Sequence, residues 1–234
     1  MEKIIVCNQK MFLTYDEAKV LMNELKDENN ENFIVAPNFL NMNLFKDFNL
    51  CAQNCHYENA GARTGEVSPY HLSLVGVKYV LLGHSERREV EDDYLINKKV
   101  ISATKNSLIP ILCIGETYLD NQMHRTSEVL KKQLKIALTS VDKDSIFYVA
   151  YEPRWLIGGK NTLTKNEIED SVKYIKKILT ELGFKNNKIL YGGSVNKSNI
   201  DLILSNNVDG YLLGNASCNI DELKYIINCI KSVK

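Results

Sequence analysis

Eight short apolar segments recur along the 234 residues at an average interval of about 29 residues, close to the minimum length of a strand-helix repeat. Segments that are continuously apolar, rather than alternating, are typical of parallel strands covered by helices on both faces. The pattern therefore predicts a single-domain α/β fold over residues 1–234, a (β/α)8 barrel with eight parallel strands. The predicted strands are residues 3–7, 33–36, 50–53, 77–82, 108–114, 146–151, 188–191 and 210–213.

A doubly wound open sheet is the alternative architecture for such a series. That fold usually carries a glycine-rich fingerprint directly after its first strand. Here Asn8, Gln9 and Lys10 follow the first predicted strand, so the closed barrel is favoured.

Helix signals lie between the predicted strands. Thr14 with Glu17, and Thr164 with Glu167, have the spacing of a capping box, in which two side chains and two backbone N–H groups satisfy each other. Further helices are predicted from Ser68-Pro69 to Val75, over residues 92–106, and from stripes at helical spacing: Leu130, Leu134, Ala137 and Val141; Ile168, Val172, Ile175 and Leu179; Leu223, Ile226, Ile227 and Ile230.

The charge balance and the cysteine pattern exclude several classes of protein. Basic and acidic residues number 29 each, so no excess charge attracts nucleic acid or an anionic membrane. No apolar run reaches transmembrane length, and the amino-terminal run is too short for a signal peptide. The six cysteines show neither zinc-ligand spacing nor a disulfide pattern. We therefore expect a reduced, cytoplasmic protein that contacts neither nucleic acid nor membrane.

Polar side chains cluster where the predicted strands end. Asn8 and Lys10 follow the first strand, His84 and Glu86 the fourth, and Glu152 the sixth, where Pro153 stops regular pairing. In a (β/α)8 barrel the carboxyl ends of all strands meet at one mouth, so these groups are predicted to converge. The seventh and eighth strands end in Gly192-Gly193-Ser194 and Gly214-Asn215, loops typical of phosphate binding.

Each of these residues also has a structural interpretation when taken alone. Lys10 can be a solvated loop lysine, His84 a core histidine, Glu86 a partner of the adjacent arginines, and Ser194 a helix N-cap. Together, however, a base, an imidazole, a lysine and an anion cradle match what proton abstraction beside a carbonyl requires. The combination favours a small phosphorylated substrate.

At these positions the chain resembles the triosephosphate isomerase family. The matching motifs span the chain in the family's order. Two of them, residues 83–88 and residues 151–153, are highly specific when they occur together. The matching stretches are Asn8-x-Lys10, Ala52-Gln53-Asn54-Cys55, Thr64-Gly65-Glu66-Val67-Ser68-Pro69, Gly83-His84-Ser85-Glu86-Arg87-Arg88, Cys113-Ile114-Gly115-Glu116, Tyr151-Glu152-Pro153, Tyr191-Gly192-Gly193-Ser194 and Gly210-x-x-x-Gly214-x-Ala216-Ser217.

The resemblance implies interconversion of dihydroxyacetone phosphate and D-glyceraldehyde 3-phosphate, a step of glycolysis and gluconeogenesis, without metal or cofactor. It implies that Glu152 is the base, that His84 is a neutral electrophile, and that Lys10 supplies positive charge. The other roles that it implies are substrate binding by Asn8, Lys10, Gly158, Ser194, Gly214 and Asn215, and support of Lys10 by Glu86.

The resemblance also implies a homodimer. The loop 54–66 of one subunit would reach the other, bringing Thr64 beside the partner's site. The sequence alone shows only a long loop, which a fold that covers its own barrel also explains.

The chain departs from the family pattern at several positions. Gln9 replaces a tryptophan that is usual between the asparagine and the lysine. The lid, residues 153–162, is one residue short and carries Arg154 in its hinge. Asn215 replaces a second glycine, so its side chain is expected to crowd the phosphate unless asparagine tolerates the backbone angles there. A shortened lid that closes incompletely is predicted to let the intermediate lose phosphate, giving methylglyoxal.

Two other functions compete with isomerisation. Another phosphate-binding barrel, acting on a phosphosugar or on an indole or thiamine precursor, would not need His84 and Glu152 together. A barrel without catalysis could serve as a binding or scaffold protein, for which the altered lid is the only support. Turnover distinguishes the two classes.

Overall fold

The computed structural model describes residues 2–159, 161–185 and 187–232. Its eight strands are all parallel and form one closed barrel in chain order. Closure is direct, because Ile4 of the first strand pairs with Gly210 of the last, and this confirms the barrel over the open sheet. The strands are β1 (Ile4–Asn8), β2 (Phe33–Ala36), β3 (Asn49–Ala52), β4 (Tyr79–Leu82), β5 (Ile109–Ile114), β6 (Tyr148–Tyr151), β7 (Lys188–Tyr191) and β8 (Gly210–Leu213).

Helices surround the barrel. Both predicted capping boxes are present, since the hydroxyls of Thr14 and Thr164 accept from the backbone N–H groups of Glu17 and Glu167, whose carboxylates accept in return. The helices are α1 (Tyr15–Glu24), α2 (Pro69–Leu74), α3 (Asp93–Lys105), α4 (Tyr118–Gln122), α5 (Thr126–Ala137), α6 (Lys165–Glu181), α7 (Ile200–Ile203) and α8 (Ile220–Ser232). Shorter 3-10 turns lie at Lys26–Glu28, Phe39–Phe45, Arg87–Glu89, Arg154–Leu156 and Asn215–Cys218.

Four predicted strands begin later than expected: β1 and β5 by one residue, and β4 and β6 by two, the last two for a visible reason. The N–H of Val77 donates to the Leu72 carbonyl at the end of α2, so β4 begins only at Tyr79. The N–H of Phe147 donates to the side chain of Asn187, so β6 begins at Tyr148. In both cases a hydrogen bond outside the barrel ladder takes the backbone group that a longer strand would have used.

The prediction that Val141 continues the stripe of the fifth helix is wrong. The helix α5 ends at Ala137 with Leu138 as its C-cap, and Ser140 has a left-handed φ of 59°. Val141 is nevertheless buried, in the segment after the helix. The short helix α4, which begins with a capping box at Thr117, was not predicted.

The core has two layers that share the strands. Ile4 and Val6 belong to a cluster inside the barrel, whereas Ile5 and Cys7 belong to the larger cluster between barrel and helices. Alternate residues of one strand therefore face different apolar layers, which is why the strands are apolar throughout. At the amino-terminal end, the Lys3 ammonium donates to three carbonyls of residues 205–208.

Within the described residues, no helix has the length and apolar character that crossing a bilayer requires. All six cysteines are free, and four of them are buried.

Candidate active site

A cavity of about 430 Å³ lies at the carboxyl ends of the strands. It gathers residues from the first, fourth, sixth, seventh and eighth units, as the sequence predicted. The predicted site residues that line it are Asn8, Lys10, His84, Glu86, Glu152, Gly158, Ser194, Gly214 and Asn215. Thr64 is exposed and is not part of this lining.

Glu152 lies at the centre of the site, directly after β6, and is only 2% exposed. Its backbone N–H donates to the Ile114 carbonyl of β5 at 2.7 Å, which fixes where the side chain begins. One carboxylate oxygen accepts the backbone N–H of Ser85 at 3.2 Å, and the other lies 3.3 Å from Nε2 of His84. The buried carboxylate is thus held by one backbone hydrogen bond and lies beside the His84 imidazole.

The contacts of His84 define its tautomer. Nδ1 accepts the backbone N–H of Glu86 at 3.3 Å, so this nitrogen carries no proton, and Nε2, which lies 3.3 Å from a Glu152 carboxylate oxygen, carries it. A carboxylate oxygen of Glu86 also lies 3.5 Å from Nδ1, which by itself would favour a proton there. We assign Nδ1 as the acceptor because the amide can only donate and the Glu86 carboxylate is already paired with Lys10.

Lys10 occupies a strained backbone conformation that its neighbours maintain. Its φ is 50°, in the left-handed region that costs a non-glycine residue about 1 kcal/mol or more. The Asn8 side chain accepts its N–H at 3.1 Å, and Gln53 donates to its carbonyl at 2.8 Å. The conformation directs the ammonium into the mouth, where it pairs with Glu86 at 2.5 Å.

The opposite side of the cavity is built from glycine-rich backbone. A Cβ on Gly193 would lie 2.2 Å from the Tyr191 hydroxyl, so the chain can follow this path only with glycine. Asn215 begins a 3-10 turn, whose first N–H groups have no partner within the turn. Because φ of Asn215 is not positive, asparagine adopts this backbone without strain.

The lid is fastened at its hinge and at its tip. At the hinge, the Trp155 indole donates to the Glu116 carboxylate at 2.9 Å, and the Arg154 N–H donates to the Glu116 carbonyl. At the tip, Ser194 Oγ donates to the Gly159 carbonyl at 2.7 Å. Lys160, part of the predicted lid, lies outside the described residues.

No role for Glu116 is predicted from the sequence, although Glu116, like Glu152, is a glutamate close behind the end of a predicted strand. Glu116 follows a barrel strand by two residues and is 1% exposed. Besides Trp155 it accepts the Tyr151 hydroxyl at 3.2 Å. Burial and the adjacent Glu116 carboxylate hold the pKa of Tyr151 well above its usual range, so this hydroxyl remains a donor.

Two further features limit the chemistry of the site. Burial, with the nearby Glu152 carboxylate, keeps the pKa of Cys113 well above the usual value, so its thiol is not a nucleophile. In the part of the chain that the structure describes, no three His, Cys, Asp or Glu side chains are grouped so that they could hold a metal ion.

Gln9 leads to a prediction about stability. Its side chain is 1% exposed, and neither its oxygen nor its nitrogen has a hydrogen-bond partner among the described residues. Because an unpaired buried amide costs about 1–3 kcal/mol, we expect Gln9→Leu to raise the free energy of unfolding by about that amount. Urea unfolding measures it. The control Gln53→Leu removes a paired amide and should lower stability; a Gln9→Leu protein that is also less stable would contradict the prediction.

Comparison with known proteins agrees with the geometry. The family model described as triosephosphate isomerase matches residues 3–230. A triosephosphate isomerase of Thermodesulfovibrio yellowstonii is 41% identical over 240 residues, covering 96% of this chain and 97% of the relative. That of Mycoplasmopsis pulmonis is 38% identical, with 96% of each chain covered, and that of a Thermoanaerobacter species is 39% identical, covering 96% and 98%. The chain therefore belongs to the triosephosphate isomerase family.

Proposed function

We propose that the protein interconverts dihydroxyacetone phosphate and D-glyceraldehyde 3-phosphate, as a step of glycolysis and gluconeogenesis. The observation that carries the proposal is the convergence of Glu152, His84 and Lys10 in one cavity, opposite the loops after β7 and β8. Carboxylate, imidazole and ammonium are the groups that proton transfer through an enediolate needs. The similarity to triosephosphate isomerases supports the same reaction.

In the proposed reaction, Glu152 takes a proton from carbon 1 of the ketone, and the electron pair moves onto the carbonyl oxygen. Nε2–H of His84 and the Lys10 ammonium stabilise the resulting enediolate, with Asn8 orienting the substrate oxygens. The proton on the oxygen of carbon 1 then moves to the oxygen of carbon 2, and Glu152 returns its own proton to carbon 2, which gives the aldehyde. Before the first transfer its carboxylate has to leave the Ser85 N–H, to which it is bonded here.

The phosphate end of the substrate is proposed to lie between the lid and the last two loops. Gly158, Ser194, Gly214 and Asn215 would hold it, chiefly through backbone N–H groups. Closing the lid would exclude water, which protects the enediolate phosphate from elimination.

The isomerisation rate of D-glyceraldehyde 3-phosphate by the purified protein, followed with a coupled dehydrogenase, tests the proposal. A kcat/KM within the range of efficient enzymes, at about 10⁴ M⁻¹s⁻¹ or above, is the expected result. Turnover indistinguishable from the buffer rate would overturn the proposal. In that case, measured binding of glycerol 3-phosphate would favour another phosphate-binding barrel, and no binding would favour a scaffold.

We further propose a homodimer formed through the loop 54–66. Exposed apolar side chains line a second cavity of about 620 Å³ beside the site, among them Met11 and Phe12, which are 92% and 54% exposed. Asn8 and Lys10 line this cavity as well as the first, so a loop entering from a partner would meet them. Thr64, exposed on the loop, is the proposed residue that enters.

Replacing Met11 tests the dimer. In the proposed interface a charge at this position would be buried, so Met11→Glu is expected to shift the protein from dimer to monomer. The kcat should fall as well, because the loop of the partner would no longer contact Lys10. Sedimentation at matched concentrations measures the assembly. The control is Leu202→Glu on α7, which replaces another exposed apolar residue, 71% exposed in this structure. A wild type that sediments as a monomer would contradict the proposal.

The cytoplasm is the proposed compartment. Its support is the set of six free cysteines, of which Cys7, Cys51, Cys55 and Cys113 are buried. Free buried thiols are typical of proteins that fold in a reducing environment.

A further inference from the structure

The side chain of Gln133 makes a two-point contact with a single residue, Gly115, at the strand end next to the site. Gln133 lies on α5 and is 7% exposed. Its Oε1 accepts the N–H of Gly115 at 2.9 Å, and its Nε2 donates to the carbonyl of Gly115 at 3.1 Å. Only an amide side chain can both donate and accept in this way, so the residue type is matched to the contact.

Gly115 in turn lies against the backbone of Glu152. A Cβ on Gly115 would lie 1.8 Å from the Glu152 carbonyl oxygen, which means that the two main chains are in direct contact. The residues on either side of Gly115 extend the contact: Ile114 accepts the N–H of Glu152, and Glu116 accepts the N–H of Arg154. The segment 114–116 is therefore the surface on which the candidate base and the lid hinge rest.

We propose that Gln133 is a positioning residue, which sets the orientation of Glu152 and of the lid hinge by fixing the backbone N–H and carbonyl of Gly115. The inference rests on the proposed isomerase function. Gln133 reaches no residue of the cavity itself, so its effect is transmitted through the backbone of residues 114–116. A purely structural role, satisfying two buried backbone groups, would instead lower stability without changing catalysis by the folded protein.

Two variants of Gln133 separate these roles. Gln133→Met keeps the length of the side chain and removes both hydrogen bonds, whereas Gln133→Asn keeps the amide but is one methylene shorter. We expect kcat to fall about 100-fold in Gln133→Met and about 10-fold in Gln133→Asn, because displacements near 1 Å at a reacting group cost about that much. The KM should change less than about threefold, since the phosphate contacts in the loops after β7 and β8 are untouched. The fraction of turnovers yielding methylglyoxal should rise.

The matched control is Leu134→Val, a truncation of a fully buried neighbour on the same helix. It is expected to lower the melting temperature but to leave kcat and the methylglyoxal fraction near the wild-type values. All rates are measured well below the melting temperature of each variant, so that loss of folded protein does not enter. A Gln133→Met protein with lowered melting temperature and wild-type kcat would overturn the proposal.

The fluorescence of Trp155 provides a measurement that does not depend on turnover. It is the single tryptophan of the chain and it lies in the hinge, bonded to Glu116. We expect Gln133→Met to increase its quenching by acrylamide, and Leu134→Val to leave it unchanged. An inactive wild type would refute the proposed function; the positioning of the hinge would then be supported by changed quenching and refuted by unchanged quenching.

Discussion

Replacing Glu152 by glutamine is expected to lower kcat by about 10³-fold while leaving the barrel folded. Glutamine has the same shape, and its amide oxygen can still accept the Ser85 N–H that Glu152 accepts. It cannot take up a proton at neutral pH, so removal of the proton from carbon 1 would lose its base. Because the side chain is 2% exposed, exchanging a buried charge for a neutral amide is not expected to destabilise the protein.

Both activity and proton exchange measure this loss. In D₂O the wild type should place deuterium on carbon 1 of dihydroxyacetone phosphate, and Glu152→Gln should not. Glu169→Gln on α6 is the control, because Glu169 bonds Ser205 and does not line the cavity. A Glu152→Gln protein within tenfold of the wild-type rate would mean that another group is the base.

Replacing Gly115 by alanine is expected to lower the free energy of unfolding by about 3 kcal/mol or more. The added methyl group would lie 1.8 Å from the carbonyl oxygen of Glu152, and no side-chain rotation can relieve a contact with backbone. Either β5 and β6 separate or the Glu152 backbone moves, and both changes disturb the site. We therefore expect kcat to fall in whatever fraction remains folded.

Gly76→Ala distinguishes crowding from conformational strain. Gly76 has a φ of 85° and open space around its Cβ position, so alanine there should cost only about 1–2 kcal/mol from the left-handed backbone. Urea unfolding of both variants gives the comparison. If Gly115→Ala is no less stable than Gly76→Ala, the close approach of the two strands is not tight in solution.

The parts of the fold that could be predicted are those that the sequence determines locally. The capping boxes at Thr14 and Thr164 are properties of four consecutive residues, and both are confirmed. The end of α5 could not be predicted in this way. It coincides with a left-handed Ser140, whereas the usual signal for such a conformation is glycine or asparagine. Ser107 and His124 likewise take positive φ without a sequence signal.

The residues of the candidate site also fall into those that could be predicted from the sequence and those that could not. Asn8, Lys10, His84 and Glu152 could be predicted to converge because each follows a strand, and parallel strands present those ends together. Gln133 could not, because its contact joins a helix to a strand end 18 residues away and depends on how the two pack. The only sign of this contact in the sequence was that Gln133 is a polar residue beside the apolar stripe of its helix.

The pairing of β1 with β8 has a consequence for the order in which the molecule can be made. Ile4 and Gly210, which are neighbours in the barrel, are separated by nearly the whole chain, so their contact has a very high sequence separation. During synthesis the first strand leaves the ribosome long before its partner exists and has an unpaired edge for all of that time. Lys10 and Gly214 lie across this last-formed seam. The protein therefore cannot acquire an anion site from these two residues until β8 has been synthesised, and until then the nascent barrel depends on its early strands, or on a chaperone, to protect its open side.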